Sequence, residues 1–152
     1  MDLKLPLTGR CLCGRVRYEV HMQPLTLVVC HCTICQARTG SAFSMSMPVP
    51  SEGFVLIEGA TITRDLPGGS GALLTQHFCE HCLTRTHTAP HVFPNVIYVR
   101  PGTLDDRSWL KPAAQLWTRS AQRWACVEGV LSFETSASDP RQLAEAFRRM
   151  GE

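Results

Sequence analysis

Short stretches in which apolar and polar residues alternate run through most of the chain. Val16, Tyr18 and Val20 are separated by charged residues, and this period of two predicts a strand with one buried face. The same period, or a short run of apolar β-branched residues, recurs between glycine and proline turns, as is typical of an all-β protein. Strands are predicted within residues 8–20 (two strands around a turn), 25–30, 42–49, 54–57, 61–63, 73–78, 95–100, 115–118 and 125–135, with residues 67–71 as a hairpin connection and one helical turn at residues 33–38.

The period changes near the C-terminus. Asp139 suits a helix N-cap and Pro140 suits the first helical position, while Leu143, Phe147 and Met150 form an apolar stripe at helical spacing. We therefore expect a mostly-β fold, an irregular β-sandwich or barrel, followed by a short helix at residues 139–150. A chain of 152 residues has the length of one domain, so we expect a single domain over residues 1–152 with its β core at residues 8–135.

Composition narrows the class of protein. Hydrophobic residues make up 44% of the chain and charged residues 18%, which is a globular balance. The net charge of +2 is too small to indicate a nucleic-acid partner. Residues 1–8 do not resemble a signal peptide, and no apolar run has the length of a membrane span. We therefore expect a cytoplasmic protein without a membrane partner, whose eight cysteines are not disulfide-bonded.

Two cysteine pairs predict a closed metal site. Cys11 and Cys13 lie two residues apart on a predicted strand, where both side chains point to the same face. Cys79 and Cys82 form a CxxC pair, a spacing that lets a tight turn present two thiolates to one ion. Together they would form a four-cysteine structural zinc site, and unligated buried cysteines are the alternative.

Cys30, Cys32 and Cys35 form a separate group of three thiols. Three thiolates can hold zinc and leave the fourth position to water or substrate, which is the arrangement of a catalytic zinc. A histidine could instead close the site, and an iron–sulfur cluster is a third alternative, although no fourth cysteine stands at a suitable spacing. The spacing leaves these readings open, and the candidate fourth ligands are His31, His77, His87 and His91.

An open site of three thiolates suits thiol chemistry. Coordination by zinc would convert an incoming thiol to its thiolate, or would polarise a carbonyl oxygen. Either role fits the addition of a thiol to an aldehyde, or the reverse cleavage of a carbon–sulfur bond. Arg38 and Arg64 are candidates for pairing with a substrate carboxylate, and a solvated surface arginine is the alternative for each. Cys126 stands alone in the predicted strand at residues 125–135, and we expect it to be a core residue.

Three motifs carry a resemblance to a known family. GxCxCGxVxY at residues 9–18, CHCxxCxxxTG at residues 30–40 and FCxxC at residues 78–82 resemble the glutathione-dependent formaldehyde-activating enzymes, a family that also includes centromere protein V. The likeness extends over residues 8–130, with weaker support from residues 102–106 and Trp124. It implies a β-rich fold with two zinc ions per chain.

The resemblance also implies roles for the cysteines and an activity. Cys11, Cys13, Cys79 and Cys82 would hold the structural zinc, and Cys30, Cys32 and Cys35 would hold a second, catalytic zinc that could be labile. The family's activity is that of a carbon–sulfur lyase, which joins glutathione and formaldehyde to S-hydroxymethylglutathione and reverses that reaction.

One segment departs from the family pattern. Leu83 stands where the family has glycine, and residues 84–93, with Arg85, His87 and His91, are not typical. If this segment borders the active site, substrate choice would differ. The first hypothesis is therefore a zinc-dependent lyase acting on a glutathione-like thiol adduct of a small aldehyde such as formaldehyde. The alternative is a non-enzymatic, zinc-stabilised module that binds protein or nucleic acid.

Overall fold

The computed structural model describes residues 3–151, so Met1, Asp2 and Glu152, at the ends of the expected domain, lie outside the described residues. Within that range the protein is mostly β, with two helices, as the sequence predicted. The strands are β1 Leu7–Arg10, β2 Arg17–Val20, β3 Val28–Cys30, β4 Ser44–Pro50, β5 Phe54–Glu58, β6 Thr61–Pro67, β7 Leu73–Cys79, β8 Arg85–Pro90, β9 Val96–Val99, β10 Ala114–Leu116 and β11 Leu131–Ser132. The helices are α1 Thr33–Thr39 and α2 Pro140–Arg149.

The strands form two sheets. The smaller sheet has the order β1-β2-β5, and the larger has the order β11-β10-β3-β4-β9-β8-β7-β6. Strand β10 runs parallel to both β3 and β11, and the other pairs are antiparallel. The hairpin between β6 and β7 turns at residues 68–72, which confirms the expected connection there.

The core contains residues from both sheets. Tyr18 of β2 stacks on Phe54 of β5 with 5.3 Å between ring centroids, and Met47 and Val99 are fully buried in the same cluster. Gly9 lies directly under the Tyr18 ring, because a Cβ added there would come within 2.3 Å of it. A side chain at position 9 would therefore displace the tyrosine from the core.

The C-terminal helix covers this core. Asp139 caps α2 by accepting a hydrogen bond from the backbone N–H of Arg141 at 2.9 Å, and Pro140 is the first helical residue, as predicted. Phe147 is only 3% exposed and packs into the core cluster. Burying a phenylalanine side chain in this way stabilises the fold by about 1.5–3 kcal/mol.

Two expectations about strands were wrong. Residues 125–135 are not one strand, because Ala125 ends a short 3-10 turn and Gly129 adopts a φ of +72°, which leaves only β11 as a strand. Cys126 is consequently exposed and is not a core residue. Strand β8 was missed, because its buried Thr86 and Thr88 are polar and the segment lacks an apolar alternation.

No helix within residues 3–151 is long and apolar enough to cross a membrane.

Candidate metal centres and the adjoining cavity

The first cysteine cluster joins the β1–β2 turn to the end of β7. The four sulfur atoms of Cys11, Cys13, Cys79 and Cys82 all lie within 4.8 Å of one another. The Cys11–Cys13 sulfur separation is 3.5 Å and the Cys13–Cys79 separation is 3.7 Å. Four sulfurs held tetrahedrally at zinc–sulfur distances of about 2.3 Å would be about 3.8 Å apart. The donor set and its spacing therefore fit one zinc ion.

Two tight turns present these sulfurs, so the expectation that Cys11 and Cys13 lie on a strand was wrong. Gly14 has a φ of +77°, and its N–H donates to the Cys11 carbonyl at 3.0 Å. In the second turn, the N–H of Leu83 donates to the Cys79 carbonyl at 3.0 Å. A bond from the Leu12 N–H to the Thr84 hydroxyl, 3.2 Å long, ties the two turns together. The cluster thus closes around segments that are far apart in sequence.

The second cluster lies where β3 meets α1. The sulfurs of Cys30, Cys32 and Cys35 lie within 4.8 Å of one another. Cys32 is the N-cap of α1, and its sulfur accepts a hydrogen bond from the Cys35 N–H at 3.3 Å. The helix ends at Gly40, which has a φ of +63°. The helical turn predicted at residues 33–38 is thus present, and it folds Cys35 back toward the strand.

The candidate histidines do not join the second cluster. Among residues 3–151 the group of ligand atoms at this place holds the three sulfurs and no histidine nitrogen. His31 Nε2 faces Gln115 Oε1 at 3.3 Å, and His91 Nε2 faces Thr75 at 2.9 Å. The rings of His77 and His87 stack on each other, with 4.1 Å between their centroids. The described part of the chain therefore provides three sulfurs at this cluster and no histidine nitrogen.

The thiol groups of this cluster favour one deprotonated sulfur. A hydrogen bond from Cys30, then one from Cys32 and the positive charges of Arg100 and Arg85, lower the pKa of Cys35 to about 6. The hydrogen bond with Cys35 raises the pKa of Cys30, and burial raises the pKa of Cys32, so these two thiols stay protonated at neutral pH when no metal is bound. A zinc ion would deprotonate them on binding, and three closely spaced sulfurs are a donor set that suits this ion.

A cavity of about 370 Å³ adjoins the second cluster. Residues that flank the cluster take part in its wall: Arg38 and Thr39 follow Cys35 on α1, and Ser44 pairs with Cys30 across β3 and β4. One part of the wall is cationic and another is apolar. The cationic part consists of Arg38, Arg85 and Arg100, and the apolar part includes Phe43, Met45, Phe78 and Leu83.

A family model described as glutathione-dependent formaldehyde-activating enzyme matches residues 6–120, which is most of the chain. The chain belongs to this family. The resemblance that the cysteine motifs suggested is thereby confirmed.

A solved structure supports the fold of this family member. A crystal structure of a Rhodobacter sphaeroides protein is similar to it with a TM-score of 0.55 and 18% sequence identity. The match covers 84% of this chain and 99% of that chain. At this identity the likeness concerns the fold.

The arginines of the cavity have no carboxylate partner in the part of the chain that the structure describes. None of the ion pairs found within residues 3–151 includes Arg38, Arg85 or Arg100. Arg85 donates to Gln76 Oε1 at 2.8 Å, and Arg38 donates to the Pro67 carbonyl at 2.9 Å. All of these hydrogen-bond acceptors are neutral, and the Cys35 thiolate is a negative charge that acts on Arg85 and Arg100.

Arg100 is the most confined of the three. Its guanidinium donates to the Ser44 hydroxyl at 3.1 Å, the Met45 carbonyl at 3.2 Å and the Thr88 hydroxyl at 2.8 Å, and its buried Nε has no partner. Burial, followed by the charge of Arg85, lowers the pKa of Arg100 to about 9. The group therefore stays protonated at neutral pH, and an anion in the cavity would relieve the repulsion between like charges.

Of the two arginines that the sequence suggested as carboxylate partners, one lies at the cavity and the other does not. Arg38 lines the cavity, whereas Arg64 lies on β6, bonds to the neighbouring Thr63 carbonyl and is not part of the cavity wall. Arg85 and Arg100 were missed by sequence analysis, because no motif connects them. The unusual composition of residues 84–93 was the one signal that pointed to Arg85.

Leu83 and Gly69, both near the site, occupy positions where the choice of residue is restricted. Leu83 has a φ of +56°, a left-handed conformation that costs a non-glycine residue about 1–2 kcal/mol. Gly69, in the β6–β7 turn, covers Cys32 so closely that an added Cβ would lie 3.0 Å from the Cys32 sulfur and 3.2 Å from the Trp117 ring. The turn thus shields the second cluster from one side.

Proposed function

We propose that the protein is a zinc-dependent carbon–sulfur lyase that acts on the adduct of a glutathione-like thiol with a small aldehyde such as formaldehyde. The observation that carries this proposal is the cluster of Cys30, Cys32 and Cys35, which has three sulfurs and no histidine ligand in the described chain. It lies beside a cavity whose three arginines form no ion pair with a carboxylate of residues 3–151. Membership of the formaldehyde-activating family supports the same reaction class.

The cysteines have two roles in this proposal. Cys11, Cys13, Cys79 and Cys82 hold a closed structural zinc, which ties the β1–β2 hairpin to β7. The other three, Cys30, Cys32 and Cys35, hold a second zinc. That ion would supply Lewis acidity and would favour the thiolate form of an incoming thiol.

The arginines position the substrate. Glutathione carries two carboxylates, and Arg85 and Arg100 offer charge-assisted hydrogen bonds to such groups from the wall of the cavity. Arg38, on the same helix as Cys35, adds a third positive charge. Binding the carboxylates here brings the thiol end of the substrate toward the sulfur cluster and holds it there, which raises the effective concentration of the reacting groups.

The reaction is an addition and its reverse. In the forward direction the thiol sulfur forms a bond to the carbonyl carbon, and the carbonyl π electrons move to oxygen, which gains a proton as the thiol loses one. In the reverse direction the carbon–sulfur bond breaks, the hydroxyl loses its proton and the thiol regains one. Neither direction requires an oxidant or a reductant.

We also propose that the whole chain, residues 1–152, is one domain and that it works in the cytoplasm. A single core cluster that includes both sheets and α2 supports the first point. The eight cysteines are all free, which suits a reducing compartment.

Exchange NMR with glutathione and formaldehyde tests the proposed activity. The zinc-loaded protein should accelerate interconversion of the free thiol and its adduct, and a Cys35→Ser variant should lose most of that acceleration. An exchange rate equal to the uncatalysed rate, with both sites loaded, would exclude this substrate pair.

The alternative function, a zinc-stabilised module that binds protein or nucleic acid, has less support. It would be favoured by a second zinc with four protein ligands, but the second group contains three sulfurs within residues 3–151. The net charge of +2 also gives little attraction for a polyanion.

A further inference from the structure

Leu83 combines a strained backbone with an exposed side chain. Its φ of +56° is one that glycine adopts without cost, and it occurs in the turn in which the Leu83 N–H donates to the Cys79 carbonyl. The side chain is 65% exposed, so burial within the protein repays little of that strain. Fold stability alone would favour glycine at this position.

The side chain lies at the wall of the cavity. Leu83 lines it together with Phe43, Phe78 and Met45, while Arg85, two residues along the chain, contributes to the cationic part of the wall. The cavity can therefore receive a molecule that has both a carboxylate and a hydrocarbon group, each with a complementary surface.

We propose that Leu83 is a specificity-determining residue that contacts the hydrocarbon group of the thiol adduct. This inference rests on the proposed function and adds that the preferred adducts carry an alkyl group where the formaldehyde adduct carries only hydrogen. In the adduct of a longer aldehyde this group is attached to the carbon next to sulfur. Contact with Leu83 removes part of that alkyl group from water and so favours the longer adduct.

Stable thioethers test the inference without turnover. S-methylglutathione and S-butylglutathione share the carboxylates and differ in the alkyl group, and their affinities for the zinc-loaded protein can be measured by calorimetry. The wild-type protein should bind the butyl compound more tightly. Leu83→Ala should weaken binding of the butyl compound about tenfold and of the methyl compound at most about twofold, because most of the apolar contact is lost.

Further variants separate the side chain from the backbone. Leu83→Gly relieves the strain and should lose selectivity as Leu83→Ala does, whereas Leu83→Met should retain most of it. Leu12→Ala is the matched control. Leu12 is an 88% exposed leucine between Cys11 and Cys13 of the first cluster, and it is not part of the cavity wall. This control should keep the wild-type ratio of affinities.

Three results would overturn the inference. The first is a ratio of butyl to methyl affinities that is the same in wild type and in Leu83→Ala. The second is a loss of selectivity in Leu83→Gly but not in Leu83→Ala. The third is that wild type binds neither thioether measurably. Selective binding without any lyase activity would instead count against the proposed function and would leave the role of Leu83 intact.

Discussion

Replacement of Arg85 by methionine is the sharpest perturbation of the cavity. The change removes one positive charge and keeps a long apolar side chain of similar reach. Gln76 Oε1, which accepts from Arg85 at 2.8 Å, still accepts from the Thr88 hydroxyl at 3.1 Å, so no buried oxygen loses its last partner. The variant should therefore fold and keep the first zinc, and removing a like charge beside Arg100 should keep its stability at or above that of wild type. Loss of the Arg85 charge raises the pKa of Cys35, so the second site should bind zinc more weakly, and the assay is run with both sites shown by metal analysis to be loaded.

The expected magnitude follows from the bond that is lost. A hydrogen bond to a charged group contributes about 1.5–3 kcal/mol, which corresponds to a rise in KM of about tenfold to a hundredfold for a substrate whose carboxylate Arg85 binds. The rise should appear with glutathione and formaldehyde. It should be smaller than about twofold with 2-mercaptoethanol and formaldehyde, because that thiol has no carboxylate.

Initial rates with the two thiols provide the assay. Arg64→Met is the matched control, because Arg64 is an arginine of β6 that does not line the cavity. This variant should leave both KM values unchanged. An equal loss with both thiols would mean that Arg85 acts on the cluster or the fold. An unchanged KM for glutathione would refute the carboxylate-binding role.

Three further predictions follow from the clusters and the core. Cys82→Ser should release one zinc per chain and lower the free energy of unfolding by several kcal/mol, whereas Cys126→Ser, at an exposed cysteine, should retain both ions in metal analysis. Gly69→Ala should weaken zinc binding at the second site about tenfold in a chelator competition and spare the first, since the new methyl group would lie 3.0 Å from the Cys32 sulfur. His87 has its pKa lowered from 6.5 to about 3, chiefly by burial, so the unfolded chain takes up a proton that the folded chain does not as pH falls below 6.5. Between pH 7 and pH 5 wild type should therefore lose about 2 kcal/mol more stability than His87→Phe in denaturant titrations, and equal losses would contradict this.

The cysteines could be assigned from sequence because their spacing is local. Cysteines two or three residues apart can share an ion whether the segment is a strand or a turn, and the structure brings together both expected groups although Cys11 and Cys13 lie in a turn. The terminal helix was predictable for the same reason, since the Asp139 cap and the Phe147 stripe lie within one element.

The cavity could not be assigned from sequence because it depends on pairing between distant strands. Arg85 and Arg100 lie in and just after the neighbouring strands β8 and β9, and β8 itself was missed. Its buried Thr86 and Thr88 form hydrogen bonds inside the sheet, so the strand lacks the apolar signal on which pattern reading relies. The strand predicted at residues 125–135 failed for the opposite reason, since an alternating pattern there is interrupted by the turn at Gly129.

X-ray absorption at the zinc edge, combined with metal analysis, tests the central claim most directly. We predict two zinc ions per chain, the first bound by four sulfurs and the second by three sulfurs and one light atom. Added glutathione should replace that light atom with an eighth sulfur. A single zinc per chain in fully loaded protein would contradict the account. So would two sites closed by protein ligands whose spectrum does not change when glutathione is added.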